Sequence, residues 1–244
     1  MNGGGQGPAD HHTEELKKGY SFIIISLFIS VVVNGFNFIN NISNIMGSGV
    51  DMLTGAGYFL NIFGLIEIVL IIVGTYMIYI CKEQFVKRHE ENIEIATKII
   101  LIWIVLMFIS ILVTYLRYIM EDLIGFVSSD SVFYISVMIG LFMGLSVSLI
   151  YLLLTKELVS KKIEKVMWSG LGIKFGVSLF AMILLIGNIN VLSLTQFDNL
   201  ETFVLIRDLA LFGNIMILIG VVKVYIDRKW RSERFRNVSD NKNR

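Results

Sequence analysis

The sequence predicts an all-α integral membrane protein, a bundle of six transmembrane helices with both termini in the cytoplasm. Three observations lead there. Of 244 residues, 55% are hydrophobic and only 17% charged, with a mean hydropathy of +0.72, where a soluble domain runs near one quarter charged. Six stretches each supply the roughly 20 apolar residues that about 30 Å of hydrocarbon requires: 20–39, 58–80, 99–118, 132–154, 173–192 and 203–226. Basic residues fall on alternate connections, which sets the orientation.

Composition also narrows function. The 21 Lys and Arg against 20 Asp and Glu leave no basic excess for nucleic acid. One Cys and three His exclude a disulfide scaffold and supply little for a metal or a cofactor, so none is expected. His11 and His12 lie in the tail and His89 in a connection, so the spans hold no histidine dyad and no paired carboxylates. An enzyme is the least favoured class.

Three regions divide the chain: a disordered or short amphipathic cytoplasmic tail over 1–18, a membrane domain over 19–227, and a basic cytoplasmic tail over 228–244. The first span is too long for a cleaved signal peptide, lacks a small-x-small cleavage site and follows a polar tail of about 19 residues. Thr13–Lys18 can begin a helix that leads into it. At its far end Asn34, Asn37 and Asn41 share one side. Asn41-Ile42-Ser43 matches a glycosylation sequon, and a glycine-rich outer loop follows.

The second span carries Glu67, nine residues below Tyr58, or roughly 14 Å at helical rise and so near the middle of the hydrocarbon. A carboxylate there must be protonated or paired. Arg207, one turn inside the sixth span, is the expected partner, with Asn214 on the same face. The connection to the third span holds Cys81, Lys82, Lys87, Arg88 and Lys98. Trp103, Trp168 and Trp230 are expected at the cytoplasmic interface, where amphipathic rings collect.

The fourth span holds Ser136, Gly140, Gly144 and Ser148, each four residues from the last, with Gly172 and Gly176 as a shorter version in the fifth. Small residues on one helix face let another backbone approach closely. Packing within the chain is the first expectation, a homo-oligomer contact the second. Lys156, Lys161, Lys162, Lys165 and Lys174 are all assigned to the connection before the fifth span. With the remaining basic residues at the two ends, this leaves only Arg117 and Arg207 of the 21 on the outer side. Both termini are therefore expected inside a cell membrane whose anionic lipids meet the basic face.

Basic clusters begin at Lys82, Lys156 and Arg228, spaced by 74 and 72 residues. Either a hairpin unit repeats three times, or two crossings plus similar loops give the same period. Asn188 and Asn190 add to Asn34, Asn37, Asn214, Glu67 and Arg207 to place most intramembrane polar groups in the outer half of the bilayer. Such a set serves as interhelical glue in a structural, scaffold or accessory subunit, or as a polar site in a transporter or permease subunit. The sole proline is Pro8, so no span is broken as transporter helices commonly are. The first reading is preferred, with lipid and a second membrane protein as the expected partners.

Overall fold

The computed structural model describes residues 8–45, 56–124, 129–189 and 209–227. These form six α-helices: α1 (Pro8–Ile45), α2 (Ala56–Ile80), α3 (Lys87–Ile124), α4 (Ser129–Thr155), α5 (Lys161–Ile189) and α6 (Ala210–Ile226). No strand occurs among the described residues. Among the described residues four stretches are long and apolar enough to cross a membrane: Thr13–Ile39, Ile62–Ile80, Lys87–Ile109 and Met138–Leu158; Ala210–Ile226 is a shorter apolar helix.

Several helices start earlier than hydropathy suggests. Pro8 opens α1, as suits a residue with a preset φ and no N–H to leave unpaired. Leu16, Gly19 and Tyr20 are already buried, so the charged turn Glu14–Lys18 is helical and the bundle begins below residue 20. Likewise α3 runs from Lys87, twelve residues before its expected span, with His89, Ile93 and Ala96 buried. Helix propensity is indifferent to where the bilayer starts, so polar turns extend the apolar rods.

The helices pack as consecutive pairs, α1 with α2, α3 with α4 and α5 with α6, and α1 also lies against α6. Phe38 and Phe212 meet edge to face across that last contact, with ring centroids 6.4 Å apart. Two pairs cross at glycines. A Cβ on Gly19 would stand 3.0 Å from the Gly74 carbonyl oxygen, and one on Gly74 would stand 2.9 Å from that of Gly19. In the third pair a Cβ on Gly170 would lie 2.7 Å from the Gly213 carbonyl oxygen. With lipid outside, no hydrophobic drive pushes helices together, and backbone contact at such crossings supplies the dispersion that holds them.

This moves the seam expected from sequence. Gly140, Gly144, Gly172 and Gly176 each have open space where a Cβ would be built, and Gly140, Gly172 and Gly176 are exposed. The side chain of Ser136 lies outside the described residues, while Ser148 is buried. Four-residue spacing marks a face but does not say what lies on it.

At the end where α1 begins, two 3-10 turns connect α2 to α3 (Lys82–Gln84) and α4 to α5 (Lys156–Leu158). Each closes on an extended residue, Phe85 at φ −93° and ψ 164° and Val159 at φ −102° and ψ 163°. The two helix–turn–helix backbones thus repeat at an offset of 74. Arg88 bridges the turns through an ion pair of 3.1 Å to Glu157. Lys82 donates to Glu94, a bond that raises the ammonium pKa above the ordinary lysine range. The position of Arg228, where a third unit would begin, lies outside the described residues.

Large apolar side chains cover the outside, among them Phe28, Leu65, Val69, Leu101 and Phe108, all more than half exposed. A surface of this kind is suited to hydrocarbon rather than water. Of the three tryptophans, Trp168 is partly exposed near a turn as expected, but Trp103 is 4% exposed and belongs to the core rather than to an interfacial belt. Trp230 lies outside the described residues.

The two kinds of glycine separate in a stability measurement. Gly19→Val or Gly170→Val forces backbones apart and should cost about 1–3 kcal/mol, the range of core overpacking. Gly140→Ala, with space beside it and better helix propensity, should be neutral or slightly stabilising. Thermal unfolding in detergent, followed by circular dichroism, checks both; equal losses would contradict the crossing assignment.

Candidate functional site: a buried lysine network

Lys174 is the centre of the polar interior. It lies thirteen residues into α5, roughly 20 Å along the helix axis, and is 8% exposed. This corrects the sequence expectation, which places it in the connection before the fifth span. Because α5 begins at Lys161, a lysine at 174 is three and a half turns inside the helix. It falls on the buried face marked by Met167, Gly170, Lys174 and Ser178.

An ammonium has three protons, and one enclosed by packed helices needs a protein acceptor for each. Lys174 Nζ donates to the Gly144 carbonyl oxygen at 3.1 Å, to Ser148 Oγ and to Asn214 Oδ1 at 2.7 Å. Ser148 Oγ donates its own proton back to Gly144 at 3.0 Å, leaving a lone pair for the lysine. Three helices, α4, α5 and α6, are thereby tied to one nitrogen. Gly213 clears the path, since a Cβ there would stand 2.6 Å from Lys174 Cγ. Gly220 makes the equivalent room for Met167.

A carboxyl group approaches from α2. Glu67 lies within electrostatic range of Lys174, and its side chain takes a hydrogen bond from the Ser30 hydroxyl. Ser26 Oγ lies 3.1 Å from the Glu67 carbonyl oxygen and 2.8 Å from Tyr151 Oη, with both side chains buried. Asn34 Nδ2 donates to the Ser30 carbonyl at 2.7 Å and to Ser30 Oγ at 3.3 Å. Ser26, Ser30 and Asn34 are four residues apart, so α1 presents one polar stripe toward α2 and α4. The network spans α1, α2, α4, α5 and α6.

Of the residues picked from sequence, Glu67, Asn34, Asn214, Ser148 and the Gly144 carbonyl meet here. Asn37 is half-buried on α1. Arg207, the expected partner of Glu67, and the side chain of Asn188 lie outside the described residues. Ser26, Ser30, Tyr151 and Lys174 are the additions. They carry the polar path toward the end of the two turns, where the sequence places most polar groups in the opposite half. Hydroxyl groups count little in hydropathy, and the signal that finds them is spacing against a buried partner.

A second polar contact closes the turn end. Tyr20 Oη, fully buried, donates to the Leu154 carbonyl oxygen at 2.9 Å and lies 3.5 Å from His89 Nε2. The His89 ring packs edge to face on Phe85 at 4.6 Å. Cys81 is buried beside it; burial first, then the charge of Glu15, pushes its thiol up to about 11. Among the described residues no group of three or more His, Cys, Asp or Glu side chains converges as metal ligands would. No family model, curated protein or solved structure matches the chain.

Two outcomes follow. Asn214→Leu strands one proton of a buried ammonium and should lower stability by about 1–2 kcal/mol. Adding Lys174→Met should then recover part of that loss, because the group needing the acceptor is gone; an additive double variant in thermal unfolding would remove the assigned bond. Separately, with the thiol held protonated well above neutral pH, Cys81 should react with a maleimide far more slowly in the native protein than after denaturation at the same pH. Fast native labelling would place the thiol outside the core.

Proposed function

We propose that the chain is a six-span protein of the cell membrane with both termini cytoplasmic, acting without catalysis as a structural or accessory subunit. One observation carries the reading: every proton of the buried Lys174 ammonium is already given to Gly144, Ser148 and Asn214. A cation saturated by protein acceptors holds helices together and has no donor to offer a passing solute.

The topology rests on local geometry and charge. Tyr20 of α1 reaches Leu154 at the end of α4 and Arg88 reaches Glu157, which puts the start of α1 and both basic turns at one end. By the positive-inside rule that end faces the cytoplasm. α5 is long enough to cross with its lysine compensated, and α6 lies against it over its apolar length. The basic tail after α6 then falls on the same side.

A second reading is favoured by the acid–base pair itself. Glu67 and Lys174 are opposite charges on α2 and α5 at membrane depth, with Tyr151 and the Ser26–Ser30–Asn34 stripe beside them, and intramembrane ionisable pairs commonly mark transport paths. This is a transporter whose polar site lies around Glu67, with Lys174 in the place expected of Arg207.

Solvent access separates the two. In a Cys81→Ala background, single cysteines at Ser30, Asn34 and Asn214 are exposed to a membrane-impermeant thiol reagent in sealed vesicles of both orientations. A structural lock leaves all three unlabelled until the protein is denatured. Labelling of Ser30→Cys or Asn34→Cys in the native state would replace the accessory-subunit reading with the transport one.

A further inference from the structure

Where α4 and α5 leave their shared turn they diverge, each packing mainly on another helix, α4 on α3 and α5 on α6. The gap between them is a groove of about 450 Å³. Phe142, Leu145 and Leu149 form one wall and Trp168, Gly172 and Phe175 the other. The floor is open at Gly172, where a Cβ would meet nothing within 4 Å. From Trp168 to Phe175 the groove runs roughly 10 Å along α5, which is a depth within one leaflet.

Its mouth at the turn is cationic. Lys161 and Lys165 precede Trp168, Gly172 and Phe175 at spacings of four, three, four and three residues, so the two ammonium groups and the groove wall share one exposed face of α5. From the turn Lys156 places its Nζ 5.9 Å from the centre of the Trp168 ring, while Trp168 Nε1 donates to Glu164 at 3.4 Å. No carboxylate stands within ion-pair distance of Lys156, Lys161 or Lys165 among the described residues. An apolar channel one leaflet deep, capped by three unpaired lysines and an indole at the interface, has the polarity of an anionic phospholipid read from tail to headgroup.

We infer that the α4–α5 groove is a binding site for an anionic phospholipid of the cytoplasmic leaflet, with an acyl chain lying along Phe142, Leu149, Gly172 and Phe175 and the phosphate held by Lys156, Lys161 and Lys165. The inference rests on the membrane-embedded, turns-inside reading above. The lipid fills the space left on the outer side of α4 and α5, where the second and third helix pairs separate. It thereby joins the second pair to the third on the side away from Lys174.

The test reconstitutes the full chain in mixed phosphatidylglycerol–phosphatidylcholine vesicles, extracts it in mild detergent and quantifies co-purifying phospholipid by mass spectrometry. The native protein should retain phosphatidylglycerol in excess over its share in the vesicle. Gly172→Leu, whose Cβ meets nothing within 4 Å and whose longer side chain would occupy the groove, should abolish the excess. Lys156→Gln should reduce it about fivefold, the contribution of one basic side chain at an anionic surface. Unchanged thermal unfolding of both variants confirms that the bundle is intact. Equal retention of phosphatidylcholine, or an excess unchanged in either variant, overturns the site. So does a shift of Gly172→Leu from dimer to monomer without loss of lipid, which would assign the groove to a second copy of the chain. A protein released from vesicles by alkaline carbonate would overturn the membrane reading together with the lipid site, whereas an embedded protein lacking the excess overturns the lipid site alone.

Discussion

A lysine ammonium enclosed by α4, α5 and α6 is the constraint to which the other contacts answer. A charge enclosed in this way is tolerated only when each of its protons has an acceptor. Meeting that condition explains features that have no reason singly. Ser148 lies on the buried face of α4 because its hydroxyl can donate to Gly144 and still accept from the lysine. Gly213 precedes Asn214 because the lysine stem passes where a methyl group would stand. The Gly170–Gly213 crossing brings α6 close enough for a short amide to reach the ammonium, and Glu67 of α2 lies within electrostatic range of it. The chemistry of one side chain thus fixes the separation and rotation of its neighbours.

Apolar exterior and polar interior divide the work of assembly. In hydrocarbon the large exposed side chains gain nothing by choosing one neighbour over another, so they do not select a partner for each helix. Selection falls to the glycine crossings, which require two helices to meet at a particular height, and to the hydroxyl, amide and charged groups, which require a particular rotation. Gly19 with Gly74 sets height in the first pair, and Ser26, Ser30 and Asn34 then aim α1 at Glu67 and Tyr151. At the turn end Tyr20 repeats the device by reaching a carbonyl of α4.

Which parts of this are legible in the sequence follows from what each signal measures. Hydropathy measures solvent, and it finds the apolar lengths of the helices and the basic connections. It misplaces their beginnings, because α1, α3 and α5 start as polar helical turns. It hides Lys174 for the same reason: beside Lys161, Lys162 and Lys165 a further lysine reads as part of a connection until the start of α5 is known. Glu67, Asn34 and Asn214 are visible as polar residues inside apolar runs, but the partner of Glu67 is not, since pairing is decided by rotation between helices. The stripe from Gly140 to Ser148 shows the limit of spacing. Its periodicity is real, yet only Ser148 and the Gly144 carbonyl meet a neighbour, while the tight crossings occur at glycines that make no regular pattern.

The offset of 74 residues sharpens what the fold can and cannot repeat. Backbone geometry recurs closely: the two turns share their 3-10 form, their extended closing residue and the start of the following helix. Side-chain chemistry does not recur inside the membrane. Gly74 corresponds to Ser148, Glu67 to Leu141 and Ile100 to Lys174. A helix pair of this geometry is therefore neutral as to what it holds, and the differences between copies carry the specificity. One unit contributes a carboxylate and the Gly74 crossing, the other a hydroxyl, the lysine and the Gly170 crossing. Neither polar set is complete within its own unit: Lys174 needs Asn214 of α6, and Glu67 takes its hydrogen bond from Ser30 of α1. The polar groups are satisfied only when the units are packed together, which makes the assembly of the whole bundle a condition for the stability of each part.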